Sequence, residues 1–233
     1  MNFDAIHKRP IFIMSAPRVG STALANAIEK NFRNTGIKLY NEFTLLDPTS
    51  PYPYVNEIDY VLNTEKTIPL SKLISNKNFV LKIHLQDFIE FFPDIFKKLI
   101  KSKNAFVIRL RRKDFAAQLT SYYIETQRNV WGYNKYNASK HINSTCELSH
   151  SKITKIIPFV KMYNEVLNKV NYSYDLDIFY EDLDIMETEY SLKTPKPTNY
   201  DEIYTYIQDH LAHNDYAFNN KESRKLEKYL NME

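Results

Sequence analysis

Residues 11–22 read IFIMSAPRVGST, and this stretch decides the fold class. The apolar run at 11–14, entered through Pro10, has the length and composition of a buried strand. Beyond the turn, apolar residues recur at the spacing of an amphipathic helix: Leu24, Ala27, Ile28 and Phe32. The stretch therefore predicts a strand, a tight turn and a helix in direct succession.

The same succession of an apolar run and a helical pattern recurs along the chain. Further buried strands are predicted at 79–83, 105–110 and 176–180. The associated helical stripes are Phe88, Phe92, Ile95, Phe96 and Leu99; Phe115, Leu119, Tyr122 and Tyr123; and Ile153, Ile156, Val160 and Leu167. Alternating strands and helices are typical of an α/β domain with a parallel sheet, and one such domain is predicted for residues 1–233.

Charge, cysteine content and hydropathy narrow the class of protein. A net charge of +3 is too small to favour nucleic acid as a partner, and a single cysteine, Cys146, excludes an intrachain disulfide. The sequence has no signal-peptide pattern and no apolar run of membrane-spanning length, so a soluble, cytoplasmic protein without a membrane partner is expected. Two polar stretches are predicted to be an exposed loop, 129–150, and a polar tail, 219–233, whose last part has the composition of a short surface helix.

The turn after the first strand has the features of an anion-binding site. A helix N-terminus presents N–H groups without partners inside the helix, and it carries a partial positive charge that attracts phosphate or sulfate. Gly20 allows the backbone to approach a ligand closely. Ser21 and Thr22 add hydroxyl donors, and Arg18 adds a cation. The alternative is an ordinary strand-to-helix turn in which Ser21 caps the helix.

At this turn the sequence resembles a known family. The residues Pro17-Arg18-Val19-Gly20-Ser21-Thr22 are similar to the 5′-phosphosulfate loop of sulfotransferases that use 3′-phosphoadenosine 5′-phosphosulfate (PAPS). Val19 departs from the family pattern, P-[KR]-[ST]-G-[ST]-[ST]. The loop is not a Walker A motif, because Ala16 replaces the first glycine and no lysine follows Gly20. The resemblance implies a three-layer α/β sandwich with a central parallel sheet, related to P-loop kinases.

A second segment, FVLKIHL at 79–85, resembles the part of cytosolic sulfotransferases that supplies the catalytic histidine. His84 would take the proton of the acceptor hydroxyl, and Lys82, two residues earlier on the same strand face, would reach the sulfuryl oxygens. From the residues alone, a histidine packed at a strand end is the alternative. Glu42, in Asn41-Glu42-Phe43, is similar to a glutamate of some bacterial-type sulfotransferases and is a second candidate for the base.

A third segment, RLRRKDFAAQLTSYY at 109–123, joins the end of a buried strand to the next helix. It resembles the 3′-phosphate motif of the family, which assigns Arg112 and Ser121 to that phosphate and leaves Arg111 open as the alternative arginine. Arginine suits this role because its planar guanidinium binds two phosphate oxygens at once. A solvated basic turn capped by Asp114 is the alternative from the residues alone.

Two later segments bear on the nucleotide. Phe179-Tyr180-Glu181-Asp182-Leu183 resembles the Y-E-D-L segment that follows the last parallel strand, with Tyr180 beside the nucleotide. The R-K-G loop that closes over the 3′-phosphate in cytosolic animal enzymes is absent. Candidates to replace it are Lys193, Thr194 and Lys196, which otherwise form a solvated basic loop.

The resemblance implies an enzyme that transfers a sulfuryl group from PAPS to an acceptor hydroxyl of sugar or phenol type. Transfer would be an in-line displacement without a metal, and it would release 3′-phosphoadenosine 5′-phosphate (PAP). The expected partner is a small-molecule or glycan acceptor. A small P-loop kinase and a catalytically silent PAP-binding module remain alternatives, and the sequence indicates neither the acceptor nor the oligomeric state.

Overall fold

The computed structural model describes residues 9–32, 38–40, 79–91, 93–102, 105–128, 145–183 and 196–231. Within these ranges the strands are β1 (Ile11–Ser15), β2 (Lys38–Tyr40), β3 (Phe79–His84), β4 (Phe106–Arg111) and β5 (Leu176–Phe179). The helices are α1 (Ser21–Asn31), α2 (Leu85–Phe91), α3 (Pro93–Ser102), α4 (Phe115–Arg128), α5 (His150–Lys169), α6 (Tyr200–His213) and α7 (Asn220–Leu230). A 3₁₀ turn (Tyr180–Asp182) follows β5.

The described strands form a single parallel sheet in the order β2-β3-β1-β4-β5. β1 lies between β3 and β4, and all five of its residues are buried. At its carboxyl end Ser15 pairs with His84 on one side and Leu110 on the other. Because the strands are parallel, the segments that follow β1, β3 and β4 all leave from the same edge of the sheet.

Helices cover both faces of the sheet. Phe12 of β1 stacks on Phe88 of α2, with ring centroids 6.0 Å apart. Lys82 pairs with Ile13, the next residue of β1, so its side chain points to the opposite face, where it contacts Thr22 of α1. The helix after β1 and the helix after β3 thus lie on opposite faces of the sheet, as right-handed crossovers toward opposite edges of the sheet require. The architecture is thus a three-layer α/β sandwich.

Two hydrophobic clusters meet along α5. The larger one joins the central strands to α2, α3, α7 and the second half of α5. The smaller one joins α4, α6 and the first half of α5, and it includes the buried Cys146. As a result, α5 contacts both the sheet side and the α4–α6 side of the molecule.

The predicted strands at 11–14, 79–83, 105–110 and 176–180 are confirmed as β1, β3, β4 and β5, each within one residue at either end. The stripe predicted from Phe88 to Leu99 is divided between two helices, since proline disfavours helical geometry in the residue before it and Pro93 starts α3.

The two polar stretches differ from their predictions in part. Residues 220–230 form α7, which begins with a capping box of Asn219 and Glu222 and buries Leu226 and Tyr229 in the larger core cluster. The short surface helix expected in the last part of the tail is present, but it spans most of the tail and packs one face into the core. Of the predicted loop, residues 129–144 lie outside the described ranges, while 145–149 have no regular structure and lead into α5.

Candidate functional site

The turn between β1 and α1 is shaped by two left-handed residues. Arg18 has φ 62° and Gly20 has φ 79°. Gly20 occupies the N-cap position of α1, no side chain caps the helix, and Ser21 is its first residue. Ser21 is therefore not the cap that the ordinary-turn alternative required. Since no side chain of the described residues caps this end, the first N–H groups of α1 can donate to a ligand.

Tyr180 packs directly against this turn. A Cβ atom built on Gly20 would lie 2.2 Å from Cδ2 of the Tyr180 ring, a distance that only glycine avoids. Tyr180 belongs to the 3₁₀ turn after β5, more than 150 residues further along the chain. The structure thus brings the late Y-E-D-L segment against the loop after β1.

The side chain of Arg18 ties the loop to α4. Its Nε donates to Oγ of Ser121 at 3.1 Å, and its Nη2 donates to Oε1 of Glu125 at 3.3 Å. Glu125 is fully buried, so the ion pair is held in a water-poor environment. Two of the predicted ligand residues, Arg18 and Ser121, are therefore in direct contact.

Arg112 reaches the same loop from the end of β4. Its Nη1 donates to the carbonyl oxygen of Arg18 at 3.1 Å, and its guanidinium lies 5.4 Å from the centroid of the Tyr180 ring. Nε of Arg112 lies 3.7 Å from Oε1 of Glu181, too far for a hydrogen bond, and it has no hydrogen-bond partner among the described residues. Arg112 thus lies at the loop, and its Nε can still donate a hydrogen bond.

Arg111 points elsewhere. Its Nε and Nη2 donate to the two carboxylate oxygens of Asp177 at 3.0 and 2.7 Å, and its guanidinium lies 4.4 Å from the Phe179 ring centroid. Arg109, on the same face of β4, also donates to Asp177. Burial acts to raise the pKa of Asp177, but the hydrogen bonds from both arginines outweigh it and hold the pKa below its ordinary value. Arg111 is therefore occupied in a β4–β5 ion-pair network.

The loop is also fixed by residues whose role the sequence did not reveal. Nε2 of the fully buried Gln118 donates to the carbonyl oxygen of Pro17 at 2.7 Å. Nδ2 of Asn164 on α5 donates to Oε1 of Gln118 at 3.0 Å. These two bonds connect the loop to α4 and α5, and the only sequence signal for them was that Gln118 lies inside the segment 109–123 that resembles the 3′-phosphate motif.

Asp114 caps the turn after β4, as one alternative for this segment proposed. Its Oδ1 accepts from the backbone N–H of Ala117 at 2.8 Å, and its Oδ2 accepts from the hydroxyl of Tyr204 at 3.1 Å. The capping explains Asp114 but not Arg112, whose guanidinium turns toward the β1 loop. Capping by Asp114 therefore accounts for only part of this basic turn.

Lys82 lies inside the site rather than at its margin. Only 3% of its surface is exposed, and its Nζ donates to Oγ1 of Thr22 at 2.6 Å. Thr22 is the second residue of α1, so the ammonium group lies beside the helix N-terminus. The structure therefore places Lys82 in contact with the loop at 17–22.

His84 forms a buried contact that was not predicted. Its Nδ1 lies 3.2 Å from Oδ2 of Asp87, and the hydroxyl of Tyr163 donates to Oδ1 of the same aspartate at 2.7 Å. The rings of His84 and Tyr163 meet edge to face at 5.5 Å. The H-x-x-D spacing across the start of α2 was a readable signal for Asp87. Tyr163, on α5, was indicated by no local pattern.

Two tyrosine hydroxyls in this region stay protonated. Burial, reinforced by the charge of Asp87 and its hydrogen bond, raises the pKa of Tyr163 well above its ordinary value. Burial and, to a lesser degree, Asp87 raise the pKa of Tyr122 to about 12. Both side chains are therefore hydrogen-bond donors rather than bases.

A cavity of about 420 Å³ has Gln118 among its lining residues. Its walls include Arg111, Arg112, Asn164 and residues of α5 and of the segment 211–216, whereas His84 and Lys82 do not line it. Its volume lies in the range of small-molecule pockets. Arg112 and Gln118 thus form a wall shared by this cavity and the β1 loop.

Two predicted site residues, Glu42 and Lys193, lie outside the described residues, as does Thr194. Lys196 is described, and its ammonium group lies 4.0 Å from the centroid of the Tyr200 ring.

A scan against models of known protein families finds no match, and a search of curated proteins finds no similar sequence. Within the described part of the chain, every helix is too short or too polar to cross a membrane.

Proposed function

We propose that the protein is a sulfotransferase that moves a sulfuryl group from PAPS to an acceptor hydroxyl, on a fold of the P-loop sulfotransferase type. One observation carries the proposal: Arg18, Arg112, Ser121 and the N-terminus of α1 converge on one place, although they come from two segments that are far apart in the sequence. A nucleotide with phosphates at both ends of its ribose needs such a doubly cationic site. The site also lies where ligands bind in open α/β sheets, beyond the carboxyl ends of the strands.

Two buried polar atoms at this edge add support. Nε of Arg112 and Oγ of Ser15 have no hydrogen-bond partner among the residues that the structure describes. Buried polar groups in native proteins are nearly always paired, so orphaned donors at the carboxyl ends of β1 and β4 suit a ligand-binding role. Ser15 pairs in register with His84, which places the second orphan beside the proposed base.

In the proposed reaction the phosphosulfate occupies the loop at 17–22 and the 3′-phosphate binds Arg112 and Ser121. The Ser121 hydroxyl accepts from the Arg18 guanidinium in this structure, and its own O–H can still donate to the phosphate. Arg18 would bind the phosphosulfate with donors other than the Nε and Nη2 that contact Ser121 and Glu125, because a guanidinium carries five N–H donors. Tyr180 packs beside the nucleotide and limits the space over Gly20.

The chemistry is a single displacement. The acceptor oxygen forms a bond to sulfur while the bond between sulfur and the bridging oxygen breaks, and PAP leaves with the electron pair. His84 receives the proton of the acceptor hydroxyl. Lys82, Arg18 and the loop N–H groups stabilise the charge that develops on the bridging oxygen, and removal of one such donor commonly lowers kcat about 10²- to 10³-fold.

The first test is selective stabilisation by PAP. At about 100 times its Kd, PAP should add about 2.7 kcal/mol to the free energy of unfolding. For a chain of this length, that corresponds to a rise in Tm of about 5–11 °C. ATP with Mg²⁺, AMP and NAD are the comparison ligands. Stabilisation by ATP but not by PAP would contradict the proposal and favour a kinase.

Turnover is tested separately, with labelled PAPS and panels of phenols and sugars as acceptors. His84→Ala should retain PAP stabilisation and lose transfer. If His84→Ala keeps full activity, His84 is not the base and Glu42 becomes the candidate. Stabilisation by PAP without transfer to any acceptor would instead indicate a silent binding module.

A further inference from the structure

A chain of hydrogen bonds connects His84 to the interior of the protein through Asp87 and Tyr163. The three residues come from the end of β3, the first turn of α2 and the middle of α5. Their exposed fractions are 7%, 6% and 8%. Such a buried polar chain is costly unless its members satisfy one another, so its geometry is strongly constrained.

The contacts determine which nitrogen of His84 carries a proton. Oδ1 of Asp87 accepts from the Tyr163 hydroxyl at 2.7 Å, so Oδ2, 3.2 Å from Nδ1 of His84, is left to accept the imidazole proton. A carboxylate can accept but not donate, and therefore the Nδ1–H tautomer is the one that fits. In that tautomer the lone pair lies on Nε2, the nitrogen on the far side of the ring.

A purely structural role for Asp87, as a negative charge at the N-terminus of α2, does not explain where its two carboxylate oxygens point. An aspartate in the first turn of α2 interacts favourably with the helix dipole wherever its side chain points. Here both oxygens are directed at side chains of other elements. Tyr163 also packs edge to face on the His84 ring, so the imidazole is held in orientation as well as in tautomer.

We propose that Asp87 is a positioning residue for sulfuryl transfer: it holds the proton of His84 on Nδ1, so that Nε2 takes the proton of the acceptor hydroxyl, while Tyr163 fixes Asp87. This inference rests on the proposed function, since it assigns His84 the role of base. The proton passes from the acceptor oxygen to Nε2, the resulting imidazolium is stabilised by the Asp87 carboxylate, and Asp87 itself stays unprotonated.

Among the described residues, titratable and charged groups surround His84 from several elements. Asp87 on α2 and Tyr163 on α5 contact its ring, Tyr122 on α4 interacts with both of them, and Lys82 lies two residues earlier on β3. Both tyrosines are neutral, so the Asp87 carboxylate is the negative charge that the geometry places against the His84 ring. Removing the carboxylate should therefore lower the pKa of His84.

The decisive measurement is the tautomer of His84 in the wild-type protein. Long-range proton–nitrogen NMR spectra of ¹⁵N-histidine-labelled protein distinguish the two ring nitrogens. The His84 signals are identified among six histidines by their loss in His84→Gln. We expect a protonated Nδ1 and an unprotonated Nε2 at a pH above the histidine titration. A neutral imidazole protonated on Nε2 would overturn the proposal.

Three variants test the consequences. Asp87→Asn should lower the pKa of His84 and release its tautomer, whereas Tyr163→Phe, which keeps the ring contact, should retain the tautomer. Asp94→Asn is the matched control, an exposed aspartate in the first turn of α3, and its spectra should equal those of the wild type. Unchanged His84 spectra in Asp87→Asn would contradict the proposal. If that variant does not fold, the wild-type tautomer decides.

Kinetics separate this proposal from the proposed function. A general base contributes about 10²- to 10⁴-fold to kcat, so Asp87→Asn should lower kcat by that factor or less. The KM for PAPS should not change. The double variant His84→Ala with Asp87→Asn should be no slower than His84→Ala alone, because the two residues act as a unit. A multiplicative loss would overturn the positioning role. If the wild type has the Nδ1–H tautomer but turns over no PAPS, the proposed function is contradicted. The interaction by which Asp87 fixes the tautomer of His84 is supported by the same result.

Discussion

Gly20 occupies a position that a side chain would disrupt in two ways. Its φ of 79° lies in the left-handed region, which costs an ordinary residue about 1–2 kcal/mol. A Cβ atom would also overlap the Tyr180 ring. We expect Gly20→Ala to lower the free energy of unfolding by at least about 1 kcal/mol, measured by urea denaturation, and to weaken PAP binding.

The steric part of this cost is separable by a double-mutant cycle. Tyr180→Ala removes the ring that a Cβ would meet, so Gly20→Ala should cost less in the Tyr180→Ala background than in the wild type. The backbone part of the cost should persist in both. Strictly additive effects would show that Tyr180 does not constrain Gly20.

Arg111 and Arg112 are adjacent but point in different directions, and their contributions to PAP binding should therefore differ. Arg112→Ala should raise the Kd of PAP about 10- to 150-fold, the value of a hydrogen bond to a charged group. Arg111 is engaged with Asp177, so Arg111→Ala is the matched control and should leave the Kd unchanged within about twofold. Isothermal titration calorimetry gives both values. A larger effect for Arg111→Ala would reverse the assignment.

At the scale of elements, the 3₁₀ turn after β5 supports the turn after β4. The carboxylate of Glu181 accepts from the backbone N–H groups of Lys113 at 3.0 Å and Asp114 at 3.2 Å. These bonds hold the segment from which Arg112 emerges. The support passes between neighbouring strands, so it exists only in the folded sheet.

We expect Glu181→Gln to loosen this turn, because a neutral amide presents one acceptor oxygen instead of two. Amide hydrogen exchange at Lys113 and Asp114 should accelerate, and PAP should bind more weakly. Asp182→Asn is the control: Asp182 pairs with Lys113 where both side chains are about half exposed, and exposed pairs contribute about 0–1 kcal/mol. Equal exchange rates in the two variants would contradict the bracing role.

The elements that sequence predicts well are those with a buried, repetitive pattern. β1, β3 and β4 are apolar runs in the middle of the sheet, so their positions follow from hydropathy alone. β2 has three residues, too few for a pattern, and α7 is polar except on the face that carries Leu226 and Tyr229. Short and mostly polar elements depend on tertiary contacts that no local window contains.

The same limit applies to the candidate site. The loop at 17–22 and the basic turn after β4 were readable because each is a continuous segment with unusual chemistry. The direction of Arg111 against that of Arg112 depends on Asp177, which lies on another strand. The contact between Asp87 and Tyr163 joins residues 76 positions apart, and its existence follows from the packing of α5 over α2.

At the scale of the whole molecule, α5 links the two hydrophobic clusters. Its first residue, His150, meets His210 of α6 with ring centroids 4.8 Å apart, and the hydroxyl of Tyr206 contacts Nδ1 of His150 at 2.7 Å. Burial, and then the charge of His150, lower the pKa of His210 below its ordinary value. The α5–α6 contact therefore disfavours protonation of His210.

This lowered pKa predicts a loss of stability in mild acid. Histidines in the unfolded chain have a pKa of about 6.5, and the pKa of His210 in the folded protein is lower. The unfolded chain therefore binds the proton more readily than the folded protein. Stability from His210 is thus complete above that pH and declines as the pH falls through it toward the lower folded pKa. We expect the free energy of unfolding, measured by urea denaturation, to fall between pH 7.5 and pH 5.5. His210→Gln should flatten this dependence, whereas His213→Gln, on the same helix, should keep it. Equal slopes in His210→Gln and the wild type would show that other groups set the acid response.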